Sequence, residues 1–311
     1  MTRVAFHCSA CGKCCNTPPA MTVPELLAHE DLFIGALALH PVRRVRAGDA
    51  LPAGQARHRV DAADAAAISV LNQALLHPAA PGTALSHWRL ATQGLDYASR
   101  GACPALQADG LCRVHGERQP GACRAVPLEP LWPDRLQQVV LLQRREEAGF
   151  LGTDCLTLAD EGPREDLLCD GQSLPRDADR RALADQRAAL LADRLHWGDA
   201  VFADLGPALG RQGAPAAGYL TLPMAPVLMA LAAASPRCRA RCQRYAQRQR
   251  VLIETQVTLA LARRCSEDRA TTEELRRFVR AYEAFGAWAS QSRDTAGVNA
   301  AATEAYLGLA V

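Results

Sequence analysis

Lysine is all but missing from this chain: of its 35 basic residues only Lys13 is a lysine. Arginine in that excess, together with abundant alanine, reads as the codon usage of a GC-rich bacterial genome rather than as a demand of function. Aromatic residues are also few, at 5%, which points to a helical, alanine-rich interior. Net charge is only +2, too close to neutral to argue for nucleic acid as a partner. Long apolar runs are absent too. The longest uncharged stretch lies between Arg211 and Arg237, and its apolar part, Tyr219 to Ala234, is broken by Pro223 and Pro226. That falls short of the ~20 residues a membrane-spanning helix needs. The opening M-T-R-V-A-F-H-C has no apolar run, so no secretory leader is expected and the chain reads as cytoplasmic. No glycine-rich nucleotide loop after a clear strand, no H-E-x-x-H and no nucleophile–base pair is recognisable.

Against these absences stands cysteine, with 12 residues. Cys8, Cys11, Cys14 and Cys15 fall in the run C-S-A-C-G-K-C-C. Thiolates are soft ligands suited to zinc, copper(I) and iron–sulfur clusters, and C-x-x-C gaps let successive sulfurs reach one centre. In a reducing cytosol such a cluster reads as metal-binding or redox-active rather than as disulfides. Adjacent side chains diverge, so Cys14 and Cys15 are expected to serve different metals, irons or roles. Downstream, Cys103 and Cys112 bracket C-P-A-L-Q-A-D-G-L-C, where Asp109-Gly110 is a tight-turn signal. Cys123 follows a Pro-Gly turn in R-Q-P-G-A-C-R-A-V-P. These three are assigned to the same site as the first four. Cys155, after the G-F-L-G-T-D turn, is preferred over Cys169 as an eighth ligand. Cys238 and Cys242 share one side of a helix with Tyr245 and Leu252 and are expected to be core residues.

Four thiolates around zinc, or around a [4Fe–4S] core in its 2+ state, leave a net charge of about −2. Lys13, Arg113, Arg118 and Arg124 are interleaved with the cysteines and are the expected compensating cations. His7 and His115 are held in reserve as ligands or hydrogen-bond donors. The arginines between Arg237 and Arg250 read as a solvated helix face.

Along the chain, Thr22-Val-Pro-Glu25 reads as a capping box opening a helix that carries Val23, Leu26, Leu27, Phe33, Ile34 and Leu37 as far as His40. Residues 41–57 read as a connection and Asp61–Leu76 as a second helix. Short strands are expected around His87–Ala91 and Leu136–Leu142. After Asp177 the pattern is helical throughout. Helices are expected on the leucines 183 to 195, over Pro223–Ala234, over Arg237–Arg264, from the Thr271–Glu274 cap to Gln291, and near Thr303–Leu309. The expected fold is therefore α+β and predominantly helical. A cysteine-rich metal-binding part with short strands and turns covers residues 1–170, and an all-helical part or extension covers 176–311.

F-H-C-S-A-C-G-K-C-C, T-V-P-E-L-L, C-P-A-L-x-x-D-G-x-C and P-G-A-C-R-A-V-P together resemble the YkgJ-type cysteine-cluster proteins. This family is also described as the C-x-x-C-x-x-C-C zinc- or iron-chelating domain. The resemblance covers roughly residues 5 to 160 and departs from the usual R-P-x-x-C-R-x-F-P at Gln119 and Val126. It implies an eight-cysteine set: Cys8, Cys11, Cys14, Cys15, Cys103, Cys112, Cys123 and Cys155. It also implies an iron–sulfur cluster or zinc as cofactor, iron–sulfur being favoured, in a structural or electron-transfer role. Two alternatives stand beside it: a cluster-dependent enzyme, such as a protein lysine N-methyltransferase like flagellin lysine N-methylase or an oxidoreductase, and a zinc-stapled interaction module.

Overall fold

The architecture follows from a computed structural model that describes residues 2–116, 118–147, 151, 154–158, 166–212, 218–291 and 299–309. In chain order the elements are β1 (Arg3–Phe6), α1 (Val23–Ala28), β2 (Ile34–Arg43), β3 (Ala50–Ala53), β4 (Ala56–Arg59), α2 (Ala62–Leu75), β5 (His77–Pro78) and β6 (Leu85–Leu95). Next come α3 (Gly121–Arg124), α4 (Gln137–Glu146), β7 (Leu156–Leu158) and β8 (Leu167–Asp170). The helical part holds α5 (Asp177–Asp193), α6 (Asp199–Gln212), α7 (Ala225–Ala232), α8 (Pro236–Arg263), α9 (Asp268–Gln291) and α10 (Ala300–Tyr306), with β9 (Leu220–Pro223) ahead of α7.

Helix α1 begins where the capping box places it. Thr22 accepts from the Glu25 amide, and the Glu25 carboxylate accepts from the Thr22 amide at 2.8 Å. It stops at Ala28, however, and the apolar residues from Ile34 onward form a strand instead of continuing the helix. Helical spacing misled because β2 is buried on both faces: Ile34 to Leu39 are all inaccessible, so the period-2 alternation that marks a half-buried strand is absent. Gly35 is required there, since a Cβ would collide with the Tyr245 hydroxyl of α8. Pro41 falls beyond Leu39, where β9 no longer pairs and β2 has become an edge, the place a strand tolerates proline.

The main sheet has the order β5-β6-β2-β9, all pairs antiparallel. Its last strand, Leu220–Pro223, comes from the C-terminal region, which is otherwise helical as expected, and it takes Pro223 from the start of the helix expected over Pro223–Ala234. Core residues on β2 and α1 belong to the same apolar cluster as those on α7, α8 and α9, so the interior is continuous across residues 170–176. Gln249 on α8 fastens this junction. Its amide accepts from the Gly35 N–H at 2.8 Å and donates to the Glu30 and Phe33 carbonyls at 2.9 and 3.0 Å.

A smaller sheet, β7-β1-β8, packs with α4 and α5 over a second cluster that includes Val4, Leu141, Cys155, Cys169 and Leu183. The Leu136–Leu142 segment, expected as a strand, is mostly the helix α4. Its start is fixed by the buried Gln137 side chain, which accepts from the Glu129 amide at 3.0 Å and donates to the Glu129 and Trp132 carbonyls, both at 2.8 Å. Part of the expected connection over 41–57 is a hairpin, β3-β4. The second helix, capped by Asp61, and the long helix α8 lie close to where their patterns place them.

On α5 and the π-helical turn that follows, the inward line is Leu183, Gln186, Asp193 and Trp197, while Leu191 and Leu195 face outward. Two polar residues on a buried line leave a pattern that leucine spacing cannot show. The arginines of α8 are mostly tied to neighbours: Arg241 pairs with Glu30, Arg248 with Asp31, Arg250 with Glu283 and Arg237 with Glu304.

Candidate metal centre

Five cysteines from four separate segments line one cleft. Cys14 and Cys15 come from the 3-10 turn after β1, Cys103 and Cys112 from the two arms of the Asp109-Gly110 turn, and Cys123 from α3. The cleft encloses about 270 Å³ and is walled elsewhere by Pro18, Phe33, Val126 and Leu128.

Each thiol is placed by an identifiable local device. Gly12, at φ +72°, reverses the chain between Cys11 and Lys13, a conformation that favours glycine, and the Cys15 amide closes the turn on the Gly12 carbonyl at 2.8 Å. The Cys103 amide donates to the Cys15 carbonyl at 2.6 Å, bringing residues far apart in sequence side by side. Between Cys103 and Cys112 the chain turns at Gly110 (φ +82°), and Leu106 pairs with Cys112 across an antiparallel bridge.

Cys123 depends on α1. The Glu25 carboxylate that caps α1 also accepts from the Gly121 amide at 2.6 Å, at the start of α3. His29 contacts the Arg118 carbonyl at 2.8 Å, and Arg118 donates back to the Ala28 carbonyl at 3.0 Å. T-V-P-E-L-L and P-G-A-C-R are thus two halves of one docking arrangement.

The thiols feel one another. Cys15 is pulled below the usual thiol range chiefly by a hydrogen bond from Cys14, while Cys103, Cys112 and Cys123 each push it up. The same bond, followed by burial, pushes Cys14 up. Cys123 is pushed to about 12, mainly by burial, and burial also raises Cys103. Cys14 and Cys15 both line the cleft, yet they diverge in packing: Cys14 lies against the smaller apolar cluster and Cys15 against the main one.

Cys8, Cys11 and Cys155 do not line the cleft. Cys11 and Cys155 form a separate pair with sulfurs 4.0 Å apart. That is close to the ~3.8 Å edge of a tetrahedron of sulfurs around zinc. A hydrogen bond from the Lys13 backbone pulls Cys11 down, and burial pushes Cys155 up. Cys8 and His7 are exposed, with the His7 amide bonded to the Cys155 carbonyl at 3.0 Å. Cys169 is buried on β8 and turned to the Gly171 carbonyl at 3.0 Å. The G-F-L-G-T-D turn falls partly outside the described residues. Cys238 and Cys242 lie buried in the main core, away from the cleft.

Of the interleaved cations, Lys13 pairs with Asp154, and Arg113, Arg118 and Arg124 are exposed; none of the four lines the cleft. Its wall carries Arg89 of β6 and Arg144 of α4 instead, together with Glu129 and Gln186. Nothing in the local sequence marks these residues, since an arginine in a strand reads as solvent-facing.

Among the described residues, no three His, Cys, Asp or Glu side chains stand in an arrangement that could hold a metal ion as they lie. The thiols share a wall without forming a coordination sphere. Their chemistry nonetheless fits a thiophilic metal: soft donors, in sufficient number, with few competing oxygens. No helix among the described residues is long and apolar enough to cross a membrane. No family model, no curated protein and no solved structure matches the chain.

Proposed function

We propose that this chain is a cysteine-ligated metal-binding protein of the YkgJ type, holding an iron–sulfur cluster in preference to zinc, in a structural or electron-transfer role. One observation carries the reading: sulfurs separated by about ninety positions of sequence face a single cleft. Ligands for one centre would be drawn from Cys14, Cys15, Cys103, Cys112 and Cys123. Cys11 and Cys155, with Cys8 nearby in sequence, form a second thiol group on the β1–β7 side. Bound there, the metal supplies cross-linking of the four segments or, as a cluster, a one-electron store.

The chain's own part is to hold the thiols in reach of one another. Cys15, pulled low by the hydrogen bond from Cys14, gives up its proton more readily than the buried Cys103 and Cys123, which burial pushes up. Closing the remaining thiols onto an ion requires side-chain rotation, so metal binding is coupled to local ordering.

Anaerobic purification followed by metal and sulfide analysis and an absorption spectrum tests the proposal. A broad band near ~400 nm with stoichiometric iron and sulfide identifies a cluster. Colourless protein with stoichiometric zinc identifies the staple form, and protein that takes up neither after reconstitution refutes the reading.

A further inference from the structure

Arg89 is the odd member of the cleft. It lies half-buried on β6 opposite His40 of β2, and its partial removal from water lowers its pKa from the ordinary guanidinium value. Among the described residues its guanidinium makes no hydrogen bond and no ion pair; the charge that opposes it is that of Glu129. Glu129, however, is already taken. Its carboxylate accepts from Arg144 at 2.7 Å, and Arg144 also donates to the Pro127 and Leu128 carbonyls.

The cleft wall therefore carries two guanidiniums and a single carboxylate. A guanidinium presents five N–H donors in a fixed fork. Arg89 is only partly buried, and none of its nitrogens is sealed from solvent without a partner, so the fork can be reached from outside. A fork left open in a recess is the arrangement that receives a carboxylate or phosphoryl group two bonds at a time.

Size and lining agree. At about 270 Å³ the cleft is much larger than a single metal ion. It lies close to the ~300 Å³ at which small-ligand pockets begin. Apolar walls from Pro18, Pro19, Phe33, Val126 and Leu128, with a few polar anchors, are the usual make-up of such a site.

We propose that the cleft binds a small oxyanion, the carboxylate or phosphoryl end of a ligand, in the open fork of Arg89, with the cysteine wall beside it. The site is then a place where a small anionic molecule meets the thiol group, and not only a staple. This step does not need the metal reading to hold, because the anchor is an arginine and not a sulfur.

The test uses the purified full chain, with metal content measured on every sample. Binding of inorganic phosphate and of malonate is followed by calorimetry at fixed ionic strength. Wild type is expected to bind at least one probe, Arg89→Gln to bind it at least tenfold more weakly, and Arg89→Lys, which keeps the charge but not the fork, to fall between. Arg57→Gln, on the exposed β4, is expected to match wild type. Arg89-dependent binding by protein that takes up no metal upholds this proposal while refuting the metal centre. Metal-loaded protein that binds neither probe, or binds equally in wild type and both Arg89 variants, overturns it and leaves Arg89 as a charge partner of the thiol centre alone. Should Arg89→Gln fail to fold, Arg89→Lys decides: unchanged affinity for both probes overturns the proposal.

Discussion

Glu25→Ala separates the fold from the site most sharply. The Glu25 carboxylate closes the capping box of α1 and holds the Gly121 amide at the head of the segment carrying Cys123. Losing the box costs about 1 kcal/mol. Losing a charged acceptor for a buried amide costs a further ~1.5–3 kcal/mol. The expected total is about 2.5–4 kcal/mol, less if water reaches the freed amide. Glu25→Gln has one side-chain oxygen to share among three donors, the Thr22 amide and hydroxyl and the Gly121 amide, so it should lose roughly half of that. Thr22→Ala removes only the cap, at about 1 kcal/mol, and leaves Gly121 held. Urea unfolding midpoints at constant slope give the stabilities, and metal retention after dialysis against a chelator gives the state of the site. Thr22→Ala should keep its metal, whereas Glu25→Ala should release it severalfold faster. The reasoning is refuted if Glu25→Ala stays within ~0.5 kcal/mol of wild type, or if it loses stability while holding metal as tightly as Thr22→Ala.

Cys123→Ala is expected to lower bound metal by half or more, and Cys242→Ala, in the main core, to leave it unchanged; equal loss from both would mean the ligand set is drawn wrongly. Gln249→Ala strips partners from the Gly35 amide and two buried carbonyls. It should cost ~2–5 kcal/mol in a denaturation experiment. Asp193, buried beside Tyr306, is raised by burial from 3.8 to about 7. The folded chain therefore keeps a proton that the unfolded chain releases, so this contribution is full below about pH 4 and lost as pH rises to about 7, up to ~4 kcal/mol in all. His40 and His77 act oppositely: burial lowers both to about 4. Their contribution is present above about pH 6.5 and lost as pH falls. Asp193→Asn should remove only the first trend. Its stability relative to wild type must therefore rise between pH 4 and 7, and a flat difference would refute the assignment.

What could be read in the sequence was whatever carries its own local chemistry. The Thr22–Glu25 box, the Asp61 cap and the turn at Asp109-Gly110 rest on contacts within a few residues, and the placing of Cys238 and Cys242 in the core rests on helical spacing. The misreadings share a different cause. Ile34–Leu39 is apolar on both faces, so its spacing fits a helix as well as a strand until β6 and β9 are seen to enclose it. Leu136–Leu142 is rich in residues that suit strands, yet the Gln137 side chain commits it to a helix through contacts with the preceding loop. Arg89 was invisible for a third reason: its environment is assembled from α4, α3 and the N-terminal turn, and no stretch of chain announces it.

Strand β9 carries a practical consequence. Because Leu220–Leu222 and Pro223 line up along Ala36–Leu39, a fragment ending near residue 175 would bare a row of unpaired amides and carbonyls on one of the most apolar segments of the chain. Such a flank invites pairing with other copies. Expressed alone, the cysteine-bearing half should emerge as aggregate rather than as a miniature of the whole, and co-expression with residues 176–311 should restore it to solution.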